Sequence, residues 1–460
     1  MTGDTIHITE RLAAFVASLA VNAIPVSVID DARFALLDAL GCGFAGAGDE
    51  GIAVLKKTIA DLEENGACPA LDGTTMLPRR QAALINGAMI HALEMDDTHS
   101  FSSVHAGGPV VSAALAASYR RDISGGGFLE AVIAGFDVAC RLGMALRGSD
   151  PYHRGFHPTG ICGIFGAATA CGKIFGLDRG GYQSAWGIAG SMAGGLMSYL
   201  QNGAWTKKMH PGWAAQSGYF SAALAARGYL GPNDIFGGRF NFCDAYSDHV
   251  KIDPLTDELG ERFEISRMSY KAFACCRTIH APITAALEIM ETHSIHPEDI
   301  EAVEAVIADE DLLLVLEPLH EKKQPRTTVE AQFSMPFGVA LALTKGQAWP
   351  GDYNDESLKD PLTRKLAGLF SYRVNDEFTK RRPLHFPCEL KIRVRGKEYT
   401  ATVDAPLGDY TNPLSRERMI EKYYHLAGYC LQEGRARRIA DHVLHLGGDG
   451  GPVKIQELVA

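Results

Sequence analysis

Long stretches of alanine, glycine and other small apolar residues constrain this chain more than any other feature; they occupy 81–91, 112–120, 128–146, 161–175 and 186–200. Small side chains on helix faces let helix axes approach closely, so these stretches predict helix packed on helix rather than a sheet. Upstream, 8–48 read as two helices, the second opened by Pro25. The run 41–46 contains a formal GxGxxG. A dinucleotide fingerprint needs a strand before those glycines; here a helical pattern precedes them, so no nucleotide site is expected.

The pattern changes near residue 265. Residues 269–289 read as a helix led by SYKAFACCRTIH, and 300–308 alternate partly, as a strand would. Residues 328–343 return to helix, and 389–394 and 398–403 flank Arg395, Gly396 and Lys397 as a β-hairpin. From Ser415 the chain is helical again. The fold class expected is mainly α, with a mixed α/β module inserted between helical parts as the simplest organisation. A chain of 460 residues has ample length for such a division.

A formal net charge of −11 and no basic run argue against nucleic acid and against an anionic membrane surface as partners. The longest near-apolar run, 160–172, is too short to span a bilayer, and residues 1–15 lack the charged and apolar regions of a signal peptide. Ten cysteines are scattered without CxxC or zinc-like spacing, so reduced thiols and a soluble cytoplasmic protein are expected.

Chemistry concentrates in residues 91–105, HALEMDDTHSFSSVH, which gather three histidines and three carboxylates between apolar helices. Groups that exchange protons near pH 7 are scarce, and here they are crowded. The competing reading is a helix end, with Asp96, Asp97 and Thr98 capping backbone amides. Downstream, His157 precedes a Pro-Thr helix start, a natural place to hold a carboxylate. The segment 201–212, with Lys207, Lys208 and His210, reads as a turn between helices: a candidate anion clamp, or else a solvated loop.

These segments resemble the MmgE/PrpD family. The similarity lies in HALEMDDT (91–98), FHPTG (156–160), GAWTKKMHPG (203–212), EAQFS (330–334), and PLG (406–408) followed by NPL (412–414), in order along nearly the whole chain. Members include 2-methylcitrate dehydratase, cis-aconitate decarboxylase and iminodisuccinate epimerase. The resemblance implies a large all-helical domain built from 1–265 and 408–460, a smaller α+β lid domain over 266–407, a homodimer, and no metal or organic cofactor. It also implies a cleft using Glu94, Thr98, His105, His157, Lys207 and a group around Lys271. Relatives usually carry Asp where this chain has Glu94, a side chain longer by one methylene.

Such enzymes handle a proton or a carboxylate on a carbon activated by neighbouring carboxylates, which calls for a base near the working pH and cations for the enolate-like charge. His105 and His157 are the expected acid and base, with Glu94 or Asp96 orienting one imidazole. Lys207, with Lys271 and His210, would clamp substrate carboxylates, and Thr98 would donate to one of them. His91 and His99 are expected to be structural. The reaction expected is that of a cofactor-independent lyase on a small di- or tricarboxylic acid, with 2-methylcitrate dehydration preferred over decarboxylation of cis-aconitate or epimerisation. Two readings lie outside the family. One is a metal site on His91-x-x-Glu94, which lacks the second copy that di-metal bundles use; the other is a non-catalytic helical scaffold, which leaves the polar clusters without a role.

Overall fold

A computed structural model describes residues 8–62, 66–309, 312–382, 384–448 and 457–459. Part of the N-terminal stretch read above for a signal peptide, residues 1–7, and most of 449–460 lie outside them. The described chain is mainly helical. Ten helices precede residue 226: α1 (Ile8–Ser18), α2 (Val26–Gly46), α3 (Glu50–Leu62), α4 (Arg79–His91), α5 (Gly107–Ser118), α6 (Gly125–Ala145), the short α7 (Ser149–His153), α8 (Pro158–Phe175), α9 (Arg179–Gly190) and α10 (Thr206–Ala225). Among the described residues no helix is long and apolar enough to cross a membrane.

The small residues do what their spacing predicts. α10 packs against α8 and α4, and α8 against α6 and α5. A Cβ on Gly212 would stand 2.1 Å from the Leu84 carbonyl oxygen, and one on Gly87 would stand 2.8 Å from Gly212 Cα. Only glycine at both positions lets α4 and α10 come this close. Gly41, Gly43 and Gly46, the formal nucleotide fingerprint, lie inside α2, where Gly46 abuts the Met89 carbonyl. They are packing residues of a helix, in keeping with the absence of a preceding strand.

Two short strands, β1 (Cys68–Pro69) and β2 (Met76–Leu77), pair upstream. The main sheet has the order β4-β3-β5-β6, with β3 Ile300–Ile307, β4 Phe370–Val374, β5 Cys388–Val394 and β6 Lys397–Val403. β3 runs parallel to β4 and antiparallel to β5, and β5–β6 is the hairpin expected around Arg395 and Gly396. The helix His280–His293 covers β5 and β6. Two late helices, Arg416–Ala427 and Glu433–His445, return to pack on α2.

Three expected elements differ. Residues 269–276 are not helical; the helix starts at His280 after a single 3-10 turn, Arg277–Ile279. The reason is pairing elsewhere: Thr98 and Ser269 exchange two backbone hydrogen bonds of 2.8 Å each, and Tyr270 donates to the Gly408 carbonyl. The helix expected through 186–200 ends at Gly190, and a 3-10 helix Met197–Gln201 follows. The supposed turn at 201–212 is mostly helix: α10 starts at Thr206, so Lys207, Lys208 and His210 lie in its first two turns, and Pro211 is accommodated inside it.

Candidate active site

α4 ends at His91, and the chain then turns through Glu94, whose backbone is left-handed at φ 55°. A non-glycine residue there is strained, a pattern found where side chains are aimed for function. The helix Arg416–Ala427 holds this turn from behind. Lys422 donates to the Met95 carbonyl at 2.8 Å and pairs with buried Asp38 at 2.6 Å. The Thr98–Ser269 bridge then brings Lys271 alongside, and the Gly87–Gly212 crossing brings Lys207.

Glu94 is the hub. Its Oε1 accepts from Lys207 Nζ, and its Oε2 accepts from Lys271 Nζ at 2.9 Å. Lys207 also donates to His91 Nε2 at 2.9 Å, while His91 Nδ1 meets Asp96 Oδ2 at 2.6 Å. Since the ionised Asp96 can only accept, His91 carries its proton on Nδ1, leaving Nε2 free to receive Lys207. An ammonium has three donors, and Lys207 has committed two.

His105 lies across from this relay. Its Nδ1 donates to the Asp97 carbonyl at 2.6 Å, and its backbone N–H donates to Thr159 Oγ1 at 3.0 Å. Nε2 is therefore its exchangeable nitrogen. His157 caps the start of α8, and its backbone N–H goes to the Gly195 carbonyl at 2.9 Å rather than leaving an amide open for a ligand. Its Nδ1 pairs with His210 Nδ1 at 3.1 Å, and its Nε2 has no hydrogen-bond partner.

Burial and charge set the protonation states. Burial alone would raise the Glu94 carboxyl, but Lys207 and Lys271 overcome it and hold Glu94 well below the usual range. Asp96 is likewise held down, against burial, by His91, whose Nδ1–H donates to it, and by Lys271. Burial would lower Lys271, yet Glu94 and Asp96 raise it above its ordinary value. Lys207 moves the other way: burial and the neighbouring Lys271 lower it despite Glu94. Burial pushes His105 down to about 3 and His210 to about 4, and drives His157 well below its ordinary value. His105, His157 and His210 are therefore neutral imidazoles near pH 7, beside two ammonium groups and two carboxylates.

A cavity opens onto this array, lined by Glu94, Thr98, His105, Lys207 and Lys271 together with Tyr199, Cys276, Arg277, Phe333 and Arg382. Of the residues expected at the site, Asp96, His157 and His210 stand behind the wall rather than on it. Three expectations change in detail. Lys207 and Lys271 grip Glu94 in place of standing free for a substrate. Asp96 orients His91 rather than His105, from which it is 3.9 Å away. His91, expected to be structural, links Asp96 to Lys207. His99 is structural as expected, bonded to Ser102 at 2.8 Å and Glu264 at 3.2 Å.

The metal reading on His91 and Glu94 finds a different geometry. The ring nitrogens of His91, His105 and His157 lie within 4.8 Å of one another, a set able to hold an ion, whereas Glu94 is taken up by the lysines. A dication there would sit beside the Lys207 ammonium, which bonds His91 Nε2, so electrostatics oppose it.

Residues 10–255 match the MmgE/PrpD N-terminal domain model, and residues 273–446 match the MmgE/PrpD C-terminal domain model. The chain is 28% identical over 460 residues to cis-aconitate decarboxylase of Aspergillus terreus (strain NIH 2624 / FGSC A1156), covering 95% of this chain and 93% of that one. It is 26% identical over 433 residues to cis-aconitate decarboxylase of Mus musculus, covering 90% of this chain and 86% of the relative. The Homo sapiens cis-aconitate decarboxylase matches at 26% over 433 residues, 90% of this chain and 87% of the other. The chain belongs to the MmgE/PrpD family.

Proposed function

We propose that this protein is a carboxy-lyase acting on cis-aconitate or a close unsaturated tricarboxylate. The observation that carries the reading is the cavity wall itself, where Lys207, Lys271, Thr98 and His105 converge on one cavity. The sequence-based preference for 2-methylcitrate dehydration gives way here, because the relatives quoted above are named for decarboxylation of cis-aconitate.

In cis-aconitate one carboxylate sits on a methylene next to the double bond. Its loss as CO₂ leaves an electron pair that shifts through the double bond to the carbon bearing a second carboxylate. That carbon then takes a proton, giving methylenesuccinate. Cleavage needs no base; it needs cations for the delocalised charge and one proton donor. Lys207 and Lys271 supply the cations, and Thr98 offers a hydroxyl. His105 and His157 form the proton path. Entry of a trianion favours imidazolium, so a histidine that is neutral in the empty site takes up its proton with the substrate.

The test offers cis-aconitate, 2-methylcitrate, citrate and iminodisuccinate in deuterated water and follows products by NMR. Methylenesuccinate from cis-aconitate supports the reading. Water loss from 2-methylcitrate with no turnover of cis-aconitate would return the protein to the dehydratase class.

A further inference from the structure

Arg277 opens the 3-10 turn Arg277–Ile279 and lines the same cavity, opposite in chain position to the 91–105 stretch. It is more than nine-tenths buried, at 7% exposed. Its Nη2 donates to Asp409, its guanidinium lies 4.9 Å from the Phe386 ring centroid, and its Nε and Nη1 have no hydrogen-bond partner. The other deeply buried arginine shows how unusual this is. Arg141 uses Nε on Asp137, Nη1 on the Pro254 and Asp257 carbonyls, and Nη2 on the Arg262 carbonyl. Donors left unmet on a buried guanidinium are costly, and an anion in the cavity satisfies them.

Charge points the same way. Lys207 and Lys271 already face Glu94, and Lys271 has Asp96 at 3.7 Å. Arg277 has Asp409 alone, and a second guanidinium, Arg382, lines the cavity beside it. Arg277 is thus a cavity-lining cation that does not bond Glu94 and has two donors unmet.

We propose that Arg277 binds one of the two substrate carboxylates that remain on the product, through the donors that Asp409 leaves free. The departing carboxylate loses its charge as it becomes CO₂, so a cation bonded to it would stabilise the ground state more than the transition state. A clamp on a retained carboxylate holds substrate, transition state and product alike, and it makes the pocket selective for an acid with a carboxylate at that end. The inference rests on the decarboxylase reading.

Removing Arg277 alone strands Asp409, so two variants are used: R277K, which keeps the charge, and R277Q/D409N, which replaces the ion pair by two amides. Each is titrated calorimetrically with propane-1,2,3-tricarboxylate, which lacks the double bond, and with methylenesuccinate; kcat and KM are measured on cis-aconitate. The double variant is expected to bind both ligands at least about 30-fold more weakly, with KM raised in step and kcat within about threefold of wild type. R277K falls between, since an ammonium does not reproduce the guanidinium geometry. Unchanged affinity for both ligands in the double variant, with wild type binding normally, overturns the role of Arg277 and leaves the decarboxylase reading standing. Weakened tricarboxylate binding with unchanged methylenesuccinate binding also overturns it, placing Arg277 on the departing group. A wild-type protein that binds neither ligand overturns the decarboxylase reading and this inference with it.

Discussion

Replacing Glu94 with Gln removes the anion that two buried lysines share. Lys207 and Lys271 are 5% and 1% exposed, and each bonds a different oxygen of Glu94. With the carboxylate gone, Lys271 keeps Asp96 at 3.7 Å, and Lys207 keeps His91 Nε2 and the face of Phe333, but no anion within ion-pair distance among the described residues. Stripping one partner from a buried ion pair costs about 3–5 kcal/mol, and here two cations lose the same counter-ion, so the upper half of that range is expected. The chain has four tryptophans, so urea unfolding followed by fluorescence reads the loss. Removing Lys271 as well, in E94Q/K271M, takes away one stranded charge and should recover at least about 1 kcal/mol, because a missing pair is cheaper than a broken one. An E94Q midpoint within error of wild type, or a double variant weaker than the sum of the singles, would refute the view of Glu94 as the shared counter-ion.

The histidines predict a pH dependence of stability. His99, His105, His157 and His210 all have folded values below their ordinary one because burial disfavours the imidazolium. The unfolded chain then binds more protons below about pH 6.5; His105, His157 and His210 should each remove about 1 kcal/mol between pH 6.5 and 5.5, with His99 acting in the same direction, and stability is fully present above that window. Flat urea midpoints from pH 7 to 5 would contradict those assignments. Gly212→Ala puts a methyl 2.1 Å from the Leu84 carbonyl oxygen; the helices must separate, with an expected loss of about 1–3 kcal/mol and of turnover, because Lys207 moves with α10. A wild-type melting temperature in that variant would show that the α4–α10 contact is looser than described. His105→Gln and His157→Gln should each leave the fold intact and cut turnover by about 10²–10⁴-fold; near-normal turnover in either removes that residue from the proton path.

The helical body was legible because small-residue periodicity and close packing are the same fact, seen once in sequence and once at Gly87 and Gly212. The β5–β6 hairpin was legible from alternation around a glycine turn. Residues 269–276 were not, because their structure is set by pairing with Thr98 and Gly408, far away in sequence, and local propensity carries no trace of such partners. The helix placement of Lys207 was obscured by Pro211, a helix breaker that here lies inside α10, at its sixth residue. At the site, the crowding of titratable groups in 91–105 was readable from the residues themselves, while Lys271 and the cleft set around Glu94 came from the family resemblance. Their wiring was not: that the lysines hold Glu94 rather than stand free, and that His91 joins Asp96 to Lys207, depends on three segments meeting. Arg277 could have been noticed as a second cation six residues after Lys271, but its spare donors exist only in three dimensions.

The most direct test of the central claim follows cis-aconitate labelled with ¹³C in its methylene carboxylate, turned over by the protein in deuterated water. The account predicts labelled CO₂ and methylenesuccinate carrying one deuteron on the carbon that was the vinylic CH, in equal amounts. Substrate that exchanges deuterium or gains water while retaining the labelled carboxylate would contradict it.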